Sequence, residues 1–318
     1  MKAVAILGGL GSQMFKYAYY LQMKENDECC IDTLPYEMSE MWNGYELKRI
    51  FGIEAPELAE YIPPVELERY MQRGFSYKEL GVYLLGMIAP KKPVISVFRG
   101  YVYPRKENKY LYFGSLIYNK IKRWFSHGND IEDTVPGICT QKWCSIYFDE
   151  FNHVSDKYIG GGNRKEELKK IFRFPVFIDD KNAETAVKME QSESVAVHVR
   201  RSDHMYDNIR LFEEQYFVKA VNYIKEQTQN PVFYIFSDEP QWCRENMTTF
   251  GLTASDNVEV IDWNIGEESY RDMQLMTCCK HNILAISSFS WWGYYLSRQI
   301  DKVVCAPEGY WMEVPIHF

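Results

Sequence analysis

The residues best equipped for chemistry lie in VAVHVRRSDH, residues 195–204, where a β-rich run delivers His198, Arg200, Arg201 and Asp203 at its carboxyl end. Two adjacent arginines at a strand terminus suit a diphosphate, because each guanidinium offers phosphate oxygens a planar fork of donors. The location fits as well, since open α/β sheets bind ligands beyond the carboxyl ends of their strands. A surface arginine–aspartate salt-bridge cluster is the competing reading of the same segment.

Three other stretches place polar groups at strand-to-helix switches. Gly8-Gly9-Leu10-Gly11-Ser12-Gln13 matches neither the dinucleotide fingerprint GxGxxG nor a Walker loop. It still makes a tight turn that lets a ligand approach the backbone and aims helix N–H groups outward; a purely structural turn is the alternative. Ser237-Asp238-Glu239 ends a later strand, where a carboxylate can take ribose hydroxyls or simply cap a helix. Ser287-Ser288-Phe289-Ser290 offers hydroxyls and N–H groups as a phosphate cradle. The tryptophans that follow, Trp291 and Trp292, read as packing rather than as a sugar platform. Asp272 lies on the preceding helix. No aspartate pair is spaced to hold a metal between phosphates, so two arginines neutralising a leaving diphosphate imply a metal-free transferase.

The elements that must position these groups are legible at both ends of the chain. Residues 2–33 read as one β-α-β unit, with AVAIL, the glycine turn, QMFKYAYYLQMKEN and ECCID in order. From SVAVHV onward, strands PVFYIFS, VEVID, NILAIS and KVVCA alternate with helical stretches, which predicts a parallel, doubly wound sheet. The middle, about 55–185, parses poorly. Between Pro64 and Asp130 there are twelve Lys/Arg against five Asp/Glu, and YKELGVYLLGMIAPKKP reads as a helix with a basic tail or as a core-packing helix beside a solvated turn.

Composition bounds the answer further. The chain has 318 residues, 46% of them hydrophobic and 25% charged, which is globular and large enough for two domains. The net charge of −8 argues against a general nucleic-acid binder. Aromatics reach 16%, a content common in carbohydrate-handling proteins and in aromatic cores alike. The eight cysteines lack zinc spacing, and with no secretory signal or apolar spanning run they read as thiols of a soluble cytoplasmic protein. Peripheral contact with the inner face of the cell membrane stays open for such a chain.

Taken together, these motifs resemble the α-1,2-fucosyltransferases of glycosyltransferase family 11. GGLGSQMFKYA resembles the family's GGLGNQMFQYA, HVRRSD its H-x-R-R-x-D, FSDEPQWCREN its FSDD-x-x-W, and LMTCCKHNILAISSFSWWGYYL its LMS-x-CKH block. NGYELKRIFGI, residues 43–53, resembles a short acceptor-side motif. Ser12, Ser202, His204 and Ile286 depart from the family pattern, and residues 54–189 follow it loosely.

The resemblance implies an α/β chain of GT-B type, two Rossmann-like domains facing a cleft: an acceptor-side domain at 1–188 and a GDP-fucose-binding domain at 189–318. It implies no cofactor and no bound metal. The partners would be GDP-fucose and a β-galactoside-containing glycan. Histidine and aspartate contacts to guanine map onto His198 and Asp272, and diphosphate contacts onto Arg200, Ser287 and Ser288. Arg201, Asp238, Phe289 and the turn residues Gly9, Gly11, Ser12 and Gln13 are expected to complete the donor site.

The reaction implied is inverting transfer of L-fucose to O2 of a terminal galactoside, with Arg200, Asp203 and Asp207 as catalytic residues. Asp207 is the first choice of general base; Asp203 and His204 lie nearby, and a dissociative route would have a diphosphate oxygen take the proton. A fucosyltransferase of another linkage and a non-catalytic sugar-binding protein are the alternatives. The missing GxGxxG argues against nicotinamide or S-adenosylmethionine chemistry.

Overall fold

Strand β1 (Lys2–Ala5) runs into helix α1 (Leu10–Lys24) through a turn in which Gly8 takes φ +90°, a conformation that favours glycine. A Cβ at Gly8 would also fall 2.9 Å from the Ser12 Cβ, so the turn closes too tightly for a side chain. Helix α1 buries Leu10, Met14, Phe15, Tyr17 and Ala18, an apolar stripe at helical spacing that seats it on the sheet. Strand β2 (Cys29–Asp32) returns parallel to β1, with Lys2 opposite Cys29. Two short helices follow, α2 (Leu34–Met38) and α3 (Leu47–Phe51).

This is a computed structural model, which describes residues 2–26, 28–38, 42–62, 64–65, 67–68, 95–98, 101–104, 137–140, 145–148, 163–201, 214–308 and 314–318. Strands β3 (Ile95–Phe98) and β4 (Tyr101–Pro104) form an antiparallel pair. Strands β5 (Gly137–Thr140) and β6 (Ser145–Phe148) complete an amino-terminal sheet of order β2-β1-β6-β5, in which β6 is parallel to β1 and β5 antiparallel to β6. The helix expected in YKELGVYLLGMIAPKKP lies outside the described residues.

The chain divides into two compact units, Met1–Gly161 and Gly162–Phe318. The division falls earlier than the expected 188/189 boundary, and the reason is packing. Helices α4 (Asn163–Ile171) and α5 (Asp180–Glu190) and the segment joining them belong to the carboxyl-terminal unit. Phe172 meets Trp292 edge-on at 5.1 Å, and Met189 is fully buried against that unit's core. Arg271 Nη1 and Gln274 Nε2 donate to the carbonyls of Val176 and Pro175 at 3.2 and 2.7 Å.

The second unit is the doubly wound sheet the alternation predicts. Strands β7 (Ser194–Val199), β8 (Val232–Ser237), β9 (Asn257–Ile261), β10 (His281–Ile283), β11 (Val304–Ala306) and β12 (Ile316–His317) stand in the order β12-β11-β10-β7-β8-β9, all parallel. Helices α6 (Glu214–Gln227), α7 (Pro240–Glu245), α8 (Tyr270–Cys278) and α9 (Ser288–Leu296) connect them.

Every residue of β7 is buried, as expected of a parallel strand covered on both faces. Alternation sends Val195, Val197 and Val199 to one face, against Phe217, Val221 and Ile224 of α6. Ala196 faces the other way, among Met189 of α5 and Leu275 and Met276 of α8. The chain winds outward from β7 through β8 to β9, then returns to place β10 on the other side of β7. That reversal between β7 and β10 is where an open α/β sheet parts its connecting loops and leaves a ligand crevice. Among the described residues no helix is long and apolar enough to cross a membrane.

Candidate active site

The topological switch sets the loop after β7 beside the loop after β10. Arg200 follows the first strand and Ser287 the second, and Arg200 Nη1 lies 3.4 Å from Ser287 Oγ. Ser287 is 4% exposed and is the N-cap of α9, its Oγ accepting from the Phe289 N–H at 3.2 Å. A side-chain cap there replaces one of the helix's missing acceptors and fixes how the first turn is aimed. Ser288 is buried at the first position of the helix. An arginine fork beside the N-terminus of a nine-residue helix is an anion site in the electrostatic sense: a full positive charge, oriented N–H groups and a favourable dipole converge.

Arg201 turns to a different task. Its guanidinium carbon sits 3.4 Å from the centre of the Trp242 ring, and its Nη1 lies 3.2 Å from Glu239 Oε2. Its backbone N–H donates to Asp238 Oδ1 at 3.1 Å. The diphosphate and salt-bridge readings of the arginine pair therefore divide between its members: Arg200 faces the serine, Arg201 is clamped. The expectation of Arg201 and Asp238 as donor ligands is corrected to this extent, that the charged end of each is engaged within the loop. Sequence reasoning missed Trp242 and Glu239 as the clamp.

His198 lies on the β7 face that looks toward α9, its ring 5.8 Å from that of Phe289. Burial, with help from the Arg200 charge, pushes its pKa down to about 3, so the imidazole is neutral at physiological pH. Its Nδ1 is buried with no hydrogen-bond partner among the described residues.

Asp272 occupies the first turn of α8. Its Oδ1 accepts from Asn264 Nδ2 at 2.8 Å, and the amides of Asn264 and Asn182 exchange hydrogen bonds at 2.8 and 3.1 Å. Trp263 Nε1 donates to Asn182 Oδ1 at 2.9 Å, so the amide orientations are set from outside the pair. Burial pushes the Asp272 carboxyl up to about 7; the Asn264 hydrogen bond opposes that shift and the Asp262 charge adds to it. Asn264 and Asn182 are further residues that no sequence motif announced.

The amino-terminal turn is a cluster of its own. Gln13 is fully buried, and its Nε2 donates to the Gly8 and Gly44 carbonyls at 3.0 and 2.8 Å. Its Oε1 accepts from the Glu46 N–H at 2.8 Å. The amide ties the turn to residues 44–46 and is no ligand group, which corrects the donor-binding expectation for Gln13. Tyr36 Oη and Lys16 Nζ donate to the carbonyls of Gly8 and Leu7 at 2.6 and 3.0 Å, adding to the brace. Gly9 caps α1 in extended conformation without a side-chain bond, and Gly11 and Ser12 lie in the first turn of that helix. Asp203 and Asp207 lie outside the described residues.

Trp291 and Trp292 are 3% and 0% exposed and pack with Tyr295, in keeping with the packing reading. Cys29, Cys30, Cys243, Cys278, Cys279 and Cys305 are free thiols. Among the described residues no group of three or more His, Cys, Asp or Glu side chains is arranged to hold a metal ion.

Comparison with known proteins agrees with this reading of the carboxyl-terminal unit. The family described as glycosyl transferase family 11 matches residues 166–310. Over 149 residues the chain is 36% identical to an alpha-1,2-colitosyltransferase of Escherichia coli, covering 45% of this chain and 49% of that protein. Over 111 residues it is 30% identical to the galactoside alpha-(1,2)-fucosyltransferase 1 of Homo sapiens, covering 32% of this chain and 28% of that one. The solved fucosyltransferase NodZ from Bradyrhizobium aligns with a TM-score of 0.44 at 14% identity, over 94% of this chain and 96% of that one. The chain spans about half the length, or less, of these curated relatives. Over residues 166–310 it belongs to glycosyltransferase family 11.

Proposed function

We propose that this protein is an inverting fucosyltransferase that moves L-fucose from GDP-β-L-fucose to O2 of a terminal β-galactoside, in a GT-B arrangement of its two units. The observation that carries the reading is the approach of Arg200 Nη1 to Ser287 Oγ at the switch between β7 and β10. Family membership of the same residues supports it.

In the reaction, the acceptor O2 forms a bond to the fucose anomeric carbon on the face opposite GDP. The bond from that carbon to the diphosphate oxygen breaks, and its electron pair leaves with GDP. The acceptor proton passes to a base, Asp207 in this reading, or to a diphosphate oxygen. Arg200 stabilises the charge that develops on the leaving group, and the N–H groups at the start of α9 add to it. Asp272 in its charged form would accept from guanine N1–H and N2–H together. Neutral His198, with its unpartnered Nδ1, would take one further hydrogen bond from or to the base. The site would work without a metal, because the leaving diphosphate has an arginine and a helix N-terminus to answer its charge.

Incubating the protein with GDP-fucose and a panel of β-galactosides tests the proposal. Release of GDP with formation of an α-1,2-fucosylated product is expected; no GDP release with any acceptor, or without one, would reject it. The 36% identity to a colitosyltransferase favours a second reading, in which the donor sugar is colitose, a fucose without its 3-hydroxyl. Parallel assays with GDP-colitose separate the two, since a site that hydrogen-bonds O3 should reject the analogue that lacks it.

A further inference from the structure

Trp42 is in the left-handed region, φ +48°, and its side chain is 49% exposed. A bulky residue seldom takes that conformation, and it persists only where the surroundings over-determine it. Here they do. The buried amide of Gln13 holds the Gly44 carbonyl and the Glu46 N–H, which pins residues 44–46 to the turn leaving β1. Gly9 completes the arrangement: a Cβ built there would be 3.5 Å from Trp42 Cδ1, so the indole edge lies over bare backbone. The turn stands at the carboxyl end of a parallel strand, where α/β sheets meet their ligands.

The other described tryptophans are accounted for by contacts. Trp291 and Trp292 are buried, Trp242 carries Arg201, and Trp263 donates to Asn182 while Lys181 Nζ sits 3.7 Å from its ring centre. Trp42 is the large aromatic that this unit holds rigidly and leaves open to solvent. An immobilised aromatic plane with few polar neighbours suits a ligand with one apolar face and a hydroxylated rim. Galactopyranose has such a face, because its axial O4 leaves the ring C–H groups contiguous on the opposite side.

We propose that the Trp42 indole is a stacking platform for the galactopyranose ring of the acceptor. The proposal rests on the fucosyl-transfer reading for its substrate, yet it can fail separately. Trp42→Gly removes the ring and suits the left-handed backbone, whereas Trp42→Phe keeps an aromatic plane. Titration calorimetry with lactose, with no donor present, should find binding by the wild type weakened about tenfold or more in Trp42→Gly and largely retained in Trp42→Phe. Steady-state rates should place the loss in the KM for lactose rather than in the KM for GDP-fucose. The melting temperature of Trp42→Gly should equal or exceed that of the wild type, because strain is relieved; a role confined to packing would lower it.

Lactose binding that is absent in the wild type, or equal in Trp42→Gly, overturns the platform. A wild type that binds lactose through Trp42 yet transfers no fucose leaves the platform standing and rejects the donor reading.

Discussion

The guanidinium carbon of Arg201 lies 3.4 Å from the centre of the Trp242 ring. The two come from motifs 41 positions apart in the sequence, HVRRSD and FSDEPQW, so the contact joins the loop after β7 to helix α7. Glu239 takes the edge of the same guanidinium, and Asp238 accepts the Arg201 N–H. Together they fix the main chain next to Arg200, whose own guanidinium turns toward Ser287.

Trp242→Ala should therefore act on Arg200 through its neighbour. A partly desolvated cation–π contact is worth about 1–2 kcal/mol, and part of that holds the Arg200 backbone in place. The expected result is a roughly tenfold fall in kcat/KM for GDP-fucose, with Trp242→Phe recovering most of it because a ring face remains. Equal loss in both variants would mean that the indole acts by filling space alone.

Arg200→Ala should be far more damaging. Loss of one donor to developing charge in a dry site costs about 3–4 kcal/mol, or a hundred- to a thousandfold in kcat. Arg200→Lys should recover little, since a point charge replaces a fork. Turnover of Arg200→Ala near the wild-type value, with GDP-fucose saturating, would take the diphosphate away from this arginine.

The division of labour between Arg200 and Arg201 was open to sequence reasoning, because successive residues of an extended chain point to opposite sides. What sequence could not supply was the identity of the clamp, which depends on where β8 delivers Trp242. Strands β7 and β8 were readable because parallel strands covered on both faces are nearly continuous apolar runs. Helix α5 was not readable. Its buried face is Asn182, Thr185, Ala186 and Met189, at helical spacing but with polar and small residues, so no apolar period announced it. Gln13 misled for a related reason: an amide in a glycine-rich turn looks like a ligand group until residues 44–46, remote in sequence, are seen to saturate it.

Asp272 makes donor binding pH-dependent. Its folded pKa of about 7 lies above the ordinary 3.8, so the folded protein holds a proton that the unfolded chain has released. Folding stability from this group falls as pH rises from about 4 through about 7. Guanine recognition needs the charged form, so affinity for GDP-fucose should rise across the upper part of that window. Binding at pH 6 should release close to one proton. Calorimetry in two buffers of different ionisation enthalpy reads that number. GDP-fucose is the right probe, because its diphosphate is esterified at both ends and does not itself titrate near pH 7. His198, held down to about 3, is silent there. Asp272→Asn should abolish the proton release, and Asn264→Leu, which removes the donor to Oδ1, should move the profile to higher pH.

Transfer should persist in excess EDTA, because Arg200 and the start of α9 answer the diphosphate charge. Complete loss on chelation, restored by Mg²⁺ or Mn²⁺, would contradict that arrangement. Modest stimulation by Mg²⁺ would not, since the ion can sequester the released GDP.

The proton of the acceptor hydroxyl raises the last question. Inversion requires it to depart on the face opposite GDP, late, as the new glycosidic bond forms. Asp207 follows the arginine motif closely enough in sequence to serve, with Asp203 as the nearer carboxylate and His204 between them. A dedicated base contributes about a hundred- to ten-thousandfold in rate. Asp207→Asn keeps the size and removes the basicity, so with the fold intact it should lower kcat by at least about a hundredfold while leaving the KM for GDP-fucose nearly unchanged. A loss below about tenfold would mean that fucosyl departure leads and a diphosphate oxygen collects the proton. In that case the rate should follow the leaving group: Arg200→Lys, which alters diphosphate charge placement, would then depress kcat more than any carboxylate substitution in the loop.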